Sequence, residues 1–215
     1  MLELASRRFE RKGLFDIAGK LRSLIKDNGD IASIDSVIFS LEQQKQLEAR
    51  GYKFSSLTRQ PLESFFQLFY GRDRDEYEGI GHLQSMRTEV AFNPKNPYLP
   101  NDKKRNSYGD LLLQTEKFAE KLGSEVPGVT AIIGSAPDYA ELISLYLSAT
   151  GTYRFWDTIP KGDFCTTTYH KAAQIAIGTN WDLKFGLSTF GPAANQEGAM
   201  YAMPIVIPIK PEGSP

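Results

Sequence analysis

The chain has 215 residues, of which 41% are hydrophobic and 24% charged, and its formal net charge is −1. That length can bury a core of its own, as one domain or two small ones, and the near-neutral charge excludes a generally basic nucleic-acid binder while leaving room for a local patch. The lone cysteine, Cys165, excludes an internal disulfide, and no apolar run is long enough to cross a membrane as a helix.

Glu3, Arg7, Arg8 and Glu10 interrupt any apolar stretch of a secretory signal, so a reducing, cytoplasmic setting is expected. Most charged side chains precede residue 126. The first part of the chain therefore reads as solvated helices and the second as buried, strand-rich structure.

In residues 1–26, Leu14, Ile17, Ala18, Leu21, Leu24 and Ile25 recur at helical spacing. The basic residues Arg7, Arg8 and Arg11 lie on the same stretch. They form either an ordinary solvated face or a surface for phosphates. A second helix is predicted from a Ser33 cap, with Ile34, Val37, Ile38 and Leu41 as its apolar stripe and Gly51 just past its end. The stretch RQPLESFFQLFYG (59–71) follows. Pro61 suits a first helical turn there, and Phe65, Phe66, Leu68 and Phe69 suit a core. Two helices joined this way admit a helix-turn-helix DNA binder, although Gln43, Gln44, Lys45, Gln46 and Arg50 are a thin recognition face.

Residues 93–107 form a proline-rich polar loop carrying the basic triplet Lys103, Lys104 and Arg105. Such a loop is a candidate for phosphate contacts. It leads into a helix with Ser107 as cap, Asp110 at the third position, and Leu111, Leu112, Phe118 and Leu122 as its stripe. Gly123 is expected to close it.

Beyond this point the pattern changes. GVTAIIG (128–134) reads as a buried strand, and Ser135 with Pro137 opens a helix reaching about Leu147, after which Gly151 releases the chain. A strand in the following segment would complete a βαβ-like unit. Residues 152–170 read as a hairpin, 181–190 as a further strand, and 203–209 as an edge strand, because Pro204 and Pro208 cannot donate to a ladder. An open edge there could mediate self-association.

The expected fold class is α+β (or α/β), with a helical N-terminal half packed on a small mixed sheet formed by the C-terminal half. As domains, this gives a predominantly helical region over 1–125 and a strand-rich region over 126–215, or one packed domain.

Two scarce residues, Cys165 and His170, fall together in GDFCTTTYH. Five residues apart, they point to opposite faces of a strand, and on a helix they lie about 140° apart. Cys165 is therefore expected to be a small core residue. Glu78 and His82 share a helical spacing for a metal, but Gly79 and Gly81 weaken any helix there.

The most coherent chemical set consists of carboxylates in the second half. In Asp182-Leu183-Lys184 the acid and the lysine, two apart, share one strand face. Asp163 opens a neighbouring strand, and Glu141 lies on the helix before it. Carboxylates of this kind hold Mg2+, and the lysine stabilises a charged transition state. The pattern Asp/Glu-x-Lys occurs also at Glu10-Arg11-Lys12 and Asp102-Lys103-Lys104, but only 182–184 has a strand setting. From residue 137 onward the element order, with a short helix over 192–201 and a last strand, resembles the core of the PD-(D/E)xK nucleases. That is a likeness of pattern rather than a family assignment. It implies Glu141, Asp163, Asp182 and Lys184 as catalytic residues, with Asp163 and Asp182 on the metal.

The leading expectation is nonetheless a non-catalytic interaction or assembly protein. It would need no cofactor, and its partner would be another protein or a second copy of itself. The Mg2+-dependent nuclease and the DNA binder stand as alternatives.

Overall fold

The structure is a computed structural model that describes residues 37–68, 79–96, 98–99, 107–151, 162–170, 173–179, 185–190 and 199–209. The chain divides into two compact units, Met1–Asp35 and Ser36–Pro215. Every described residue lies in the second unit. Arg7, Arg8, Arg11 and the triplet Lys103, Lys104 and Arg105 lie outside the described residues.

Helix α1 spans Leu41–Ala49. Its cap is Ser40, whose Oγ accepts from the Gln43 amide at 3.2 Å while the Gln43 side chain accepts from the Ser40 amide at 2.8 Å. This reciprocal pair satisfies two groups that a helix start leaves open. At the other end the Gly51 amide donates to Glu48 O and the Tyr52 amide to Leu47 O, a Schellman closure that requires the positive φ of Gly51, 85°. Buried Phe39 and Leu47 anchor the segment, whereas Ile38 and Leu41 are exposed. The expected stripe is thus corrected: the described helix begins at Leu41 and places its weight on other residues.

Strand β1 (Lys53–Thr58) follows, then a 3-10 helix (Leu62–Leu68), then β2 (Arg87–Phe92). A strand between the two helical segments removes the helix-turn-helix geometry, because that motif needs two helices joined by a short turn.

Helix α2 (Tyr108–Glu125) starts at the expected cap, with Ser107 Oγ accepting from the Asp110 amide and Asp110 accepting from the Ser107 amide. It runs past Gly123 to Glu125. A Cβ at Gly123 would lie 3.3 Å from the Val129 carbonyl, so the missing side chain permits close approach of the next strand rather than ending the helix.

Then come β3 (Val129–Ile133), α3 (Ala136–Thr150), β4 (Gly162–His170), β5 (Ala173–Thr179), β6 (Phe185–Phe190), β7 (Ala199–Tyr201) and β8 (Pro204–Pro208). They complete an α+β fold with two four-stranded sheets. The first has the order β1-β2-β8-β3 and is antiparallel throughout. The second has the order β6-β5-β4-β7, with β7 parallel to β4.

The first sheet draws strands from both sides of residue 126. Among the described strands, β3 and β4, on either side of α3, lie in different sheets; the strand expected straight after Gly151, over 152–159, lies outside the described residues. The hairpin joins β4 to β5. The part of the expected 152–170 hairpin before residue 162 lies outside the described residues, as does the expected helix start at 192–198. Residues 199–201 of that helix are strand instead.

β8 is not the edge strand its prolines suggested. It lies between β2 and β3, pairing over five residues with β3 but at a single register pair, Ala91↔Val206, with β2. Val206 sits midway between Pro204 and Pro208. Residues two apart send their amides to the same neighbour, so the two missing donors shorten that seam to its centre.

One core cluster joins β1, β2 and β8 to α3 and to Phe164, Cys165, Ile175, Ile177 and Leu187 of the second sheet. The other lies beneath α1 and α2, on Ala91, Val129, Ala131 and Val206. Helix α3 is enclosed so thoroughly that Ala136 through Ile143 are all buried. Among the described residues no helix is long and apolar enough to cross a membrane.

Candidate functional site

Enclosure of α3 determines what its two acids can do. Asp138 and Glu141 are each 3% exposed. Buried carboxylates require donors. Asp138 accepts from the Met86 amide at 2.7 Å through Oδ1, and from the amide and hydroxyl of Ser135 through Oδ2. Glu141 accepts from the amide of Thr58 at 3.0 Å, its hydroxyl at 2.6 Å, and the hydroxyl of buried Ser85. Burial raises the Asp138 carboxyl above its usual range; the bonds from Ser135 and Met86 oppose that rise and the neighbouring Glu141 adds to it.

Both acids thereby tie α3 to the end of β1 and to the segment entering β2. The Glu141 oxygens face the Thr58 and Ser85 donors inside the fold. Of the other residues in the nuclease set, Asp163 lies on β4 in register with Met200. Asp182 and Lys184 lie outside the described residues. Among the described residues no three His, Cys, Asp or Glu side chains are grouped to hold a metal ion.

Cys165 is fully buried, and burial pushes its thiol up to about 12. It is a core residue, as its spacing implied, and it forms no dyad with His170. Cys165 pairs with Ala176, whereas His170, at the far end of β4 opposite Ala173, packs on Gly79, where an added Cβ would lie 3.0 Å from its Cε1.

The threonines between them serve the fold. The register shifts between Cys165 and Tyr169. There Thr168 Oγ1 accepts from the Ala136 amide at 2.8 Å, and the Thr167 amide donates to Gly134 O. The α3 N-terminus is therefore closed by protein groups. Tyr139 completes this junction: its hydroxyl accepts from the Gly134 amide at 3.0 Å and donates to Met203 O.

Among the described residues, a cleft lies on the side of the first sheet that carries α1 and α2. Its volume is about 420 Å³, and it is bounded by the end of α1, the loop after β2, and the last turns of α2. Phe118, Leu122, Tyr98, Leu99 and Pro204 supply its apolar surface. The described part of the loop is tied down by hydrogen bonds. Asn93 Oδ1 accepts the amides of Lys95 and Asn96, Asn93 Nδ2 donates to Arg50 O, and the Leu99 amide donates to Ala202 O.

On the rim, Arg50 Nε pairs with Glu125 at 3.4 Å, and Arg50 Nη1 donates to Gln46 O. Lys121, Tyr52 and Asn96 also line the cleft, and their side chains have no hydrogen-bond or ion-pair partner among the described residues. Burial raises the Tyr52 hydroxyl above its ordinary value; Arg50 opposes this and Glu125 adds to it. The phenol is therefore a neutral donor at physiological pH.

In the sequence, Arg50, Phe118, Leu122 and Pro204 are marked for other roles, and Tyr52, Asn96, Tyr98 and Lys121 are not singled out. A usable signal was there in α2, where Phe118, Lys121, Leu122 and Glu125 recur at spacings of three and four and so share one face. That face mixes an aromatic, two opposite charges and an aliphatic residue. Comparison with family models, curated proteins and solved structures returns no match to this chain.

Proposed function

We propose that residues 36–215 form a non-catalytic interaction module whose recognition site is the cleft between α1, α2 and the loop after β2. The observation that carries this reading is the pairing of an apolar surface with two exposed polar side chains, Lys121 and Asn96, and the hydroxyl of largely buried Tyr52, none of which is bonded to another described residue. Small-molecule and side-chain recognition sites have this composition, apolar walls with a few convergent polar groups. The acids of α3, by contrast, already have their donors from Thr58, Ser85, Met86 and Ser135.

The test is a set of amide NMR spectra recorded with a mixture of neutral and charged one- and two-ring aromatic compounds. Shifts concentrated on Tyr52, Asn96, Tyr98 and Lys121 support the reading. No shifts, or shifts scattered over other surfaces, overturn it.

A further inference from the structure

We infer that the cleft takes a small planar aromatic compound bearing one negative charge, with Lys121 as its counter-ion and Tyr52 donating a hydrogen bond to it. This rests on the reading of the cleft as a binding site and adds the chemical class of the ligand.

Charge balance gives the sign. The Arg50 guanidinium already has Glu125 as its partner at 3.4 Å and the Gln46 carbonyl on Nη1. Lys121, exposed, is the other cation lining the cleft and has no partner among the described residues. An anionic group on a ligand would balance it.

The hydrogen-bonding groups agree with it. A lysine ammonium has donors and no acceptor, and the neutral Tyr52 phenol has one O–H to donate. The Asn96 amide adds two further donors and one acceptor oxygen. Glu125 is the one carboxylate lining the cleft and is paired with Arg50, so the unpaired groups offer more donors than acceptors, which favours a carboxylate or a similar acceptor-rich group.

The apolar surface gives the shape. Phe118 and Tyr98 are the aromatic residues on its apolar side, and Leu99, Leu122 and Pro204 the aliphatic ones. Tyr98 is itself braced by Tyr201, with ring centroids 5.3 Å apart, and by Phe164 at 6.2 Å. Rings fixed in this manner accept another ring in offset or edge contact at little entropic cost. A cleft of about 420 Å³ lies in the lower part of the range of ligand sites, roughly 300–1,000 Å³. That range suits a compact ligand.

The experiment uses 2-naphthoate as the probe and 2-naphthylmethanol as its neutral counterpart, each titrated into the full chain and followed by amide NMR. Saturable binding of 2-naphthoate at the cleft is expected, with the alcohol at least about fivefold weaker. Lys121→Gln should remove that preference, while Lys117→Gln, on an exposed neighbouring position, should leave it intact. Equal binding of acid and alcohol overturns the charge assignment but leaves the cleft a binding site. Binding of neither compound overturns both. Retained preference in Lys121→Gln overturns the role of Lys121.

Discussion

Glu141 accepts two hydrogen bonds from Thr58, one from its amide at 3.0 Å and one from its hydroxyl at 2.6 Å. The two residues are 83 positions apart, so this contact fixes the buried half of α3 against the end of β1. Ser85 adds a third donor from the segment leading into β2. A carboxylate whose donors come from two other parts of the chain, Thr58 and Ser85, is a fastening.

Glu141→Gln should therefore destabilise the fold by about 2–3 kcal/mol, since one acceptor oxygen becomes an NH2 facing donors it cannot satisfy. Urea unfolding measures this directly. A change below about 0.5 kcal/mol would show that the bonds contribute little.

Asp138 makes a pH-dependent contribution whose sign follows from its environment. Burial holds its carboxyl above the ordinary value of 3.8, so the folded chain binds this proton more tightly than the unfolded one. The stability it contributes is then greatest at and below that ordinary value and is lost as pH rises through the raised folded value. Urea unfolding at intervals from about pH 4 to about pH 7 should show wild type losing stability relative to Asp138→Asn as pH rises. Wild type gaining stability relative to Asp138→Asn as pH rises would contradict the raised value.

Tyr139→Phe should cost about 2–4 kcal/mol, because both the Gly134 amide and the Met203 carbonyl lose a buried partner. Thermal unfolding with circular dichroism reads the loss. The ring itself, stacked edge-on against Phe164 at 4.9 Å, is retained in the variant, so the effect isolates the hydroxyl.

Cys165 should resist thiol reagents in the folded protein. Full burial and a thiol pushed up to about 12 leave almost no accessible thiolate. Labelling by an aromatic disulfide reagent is expected to be slower than in urea by at least about a thousandfold, limited by opening of the fold. Rapid stoichiometric labelling under native conditions would contradict its place in the core.

The sequence was most informative where a local rule decides the outcome. The reciprocal cap of Ser107 and Asp110, the start of α3 after Ser135, and the glycines at 51 and 151 all follow from groups a few residues apart. It was least informative where burial decides. Asp138 and Glu141 look like surface acids until two sheets enclose α3, and Pro204 and Pro208 imply an edge until β2 and β3 close on either side of Val206. β1 and β2 went unread because their alternation is broken, as in the β1 residues Lys53-Phe54-Ser55-Ser56-Leu57-Thr58. The cleft was harder still, since Tyr52, Asn96 and Lys121 come from three separate elements and meet only after folding.

The division between fastening acids and an open cleft is tested most directly by thermal unfolding of Glu141→Gln and Lys121→Gln, each with and without saturating 2-naphthoate. Glu141→Gln should melt several degrees lower yet keep the rise in Tm that the ligand confers. Lys121→Gln should melt with wild type and lose most of that rise. If Glu141→Gln abolishes the ligand effect while Lys121→Gln preserves it, recognition belongs to the α3 acids and not to the cleft.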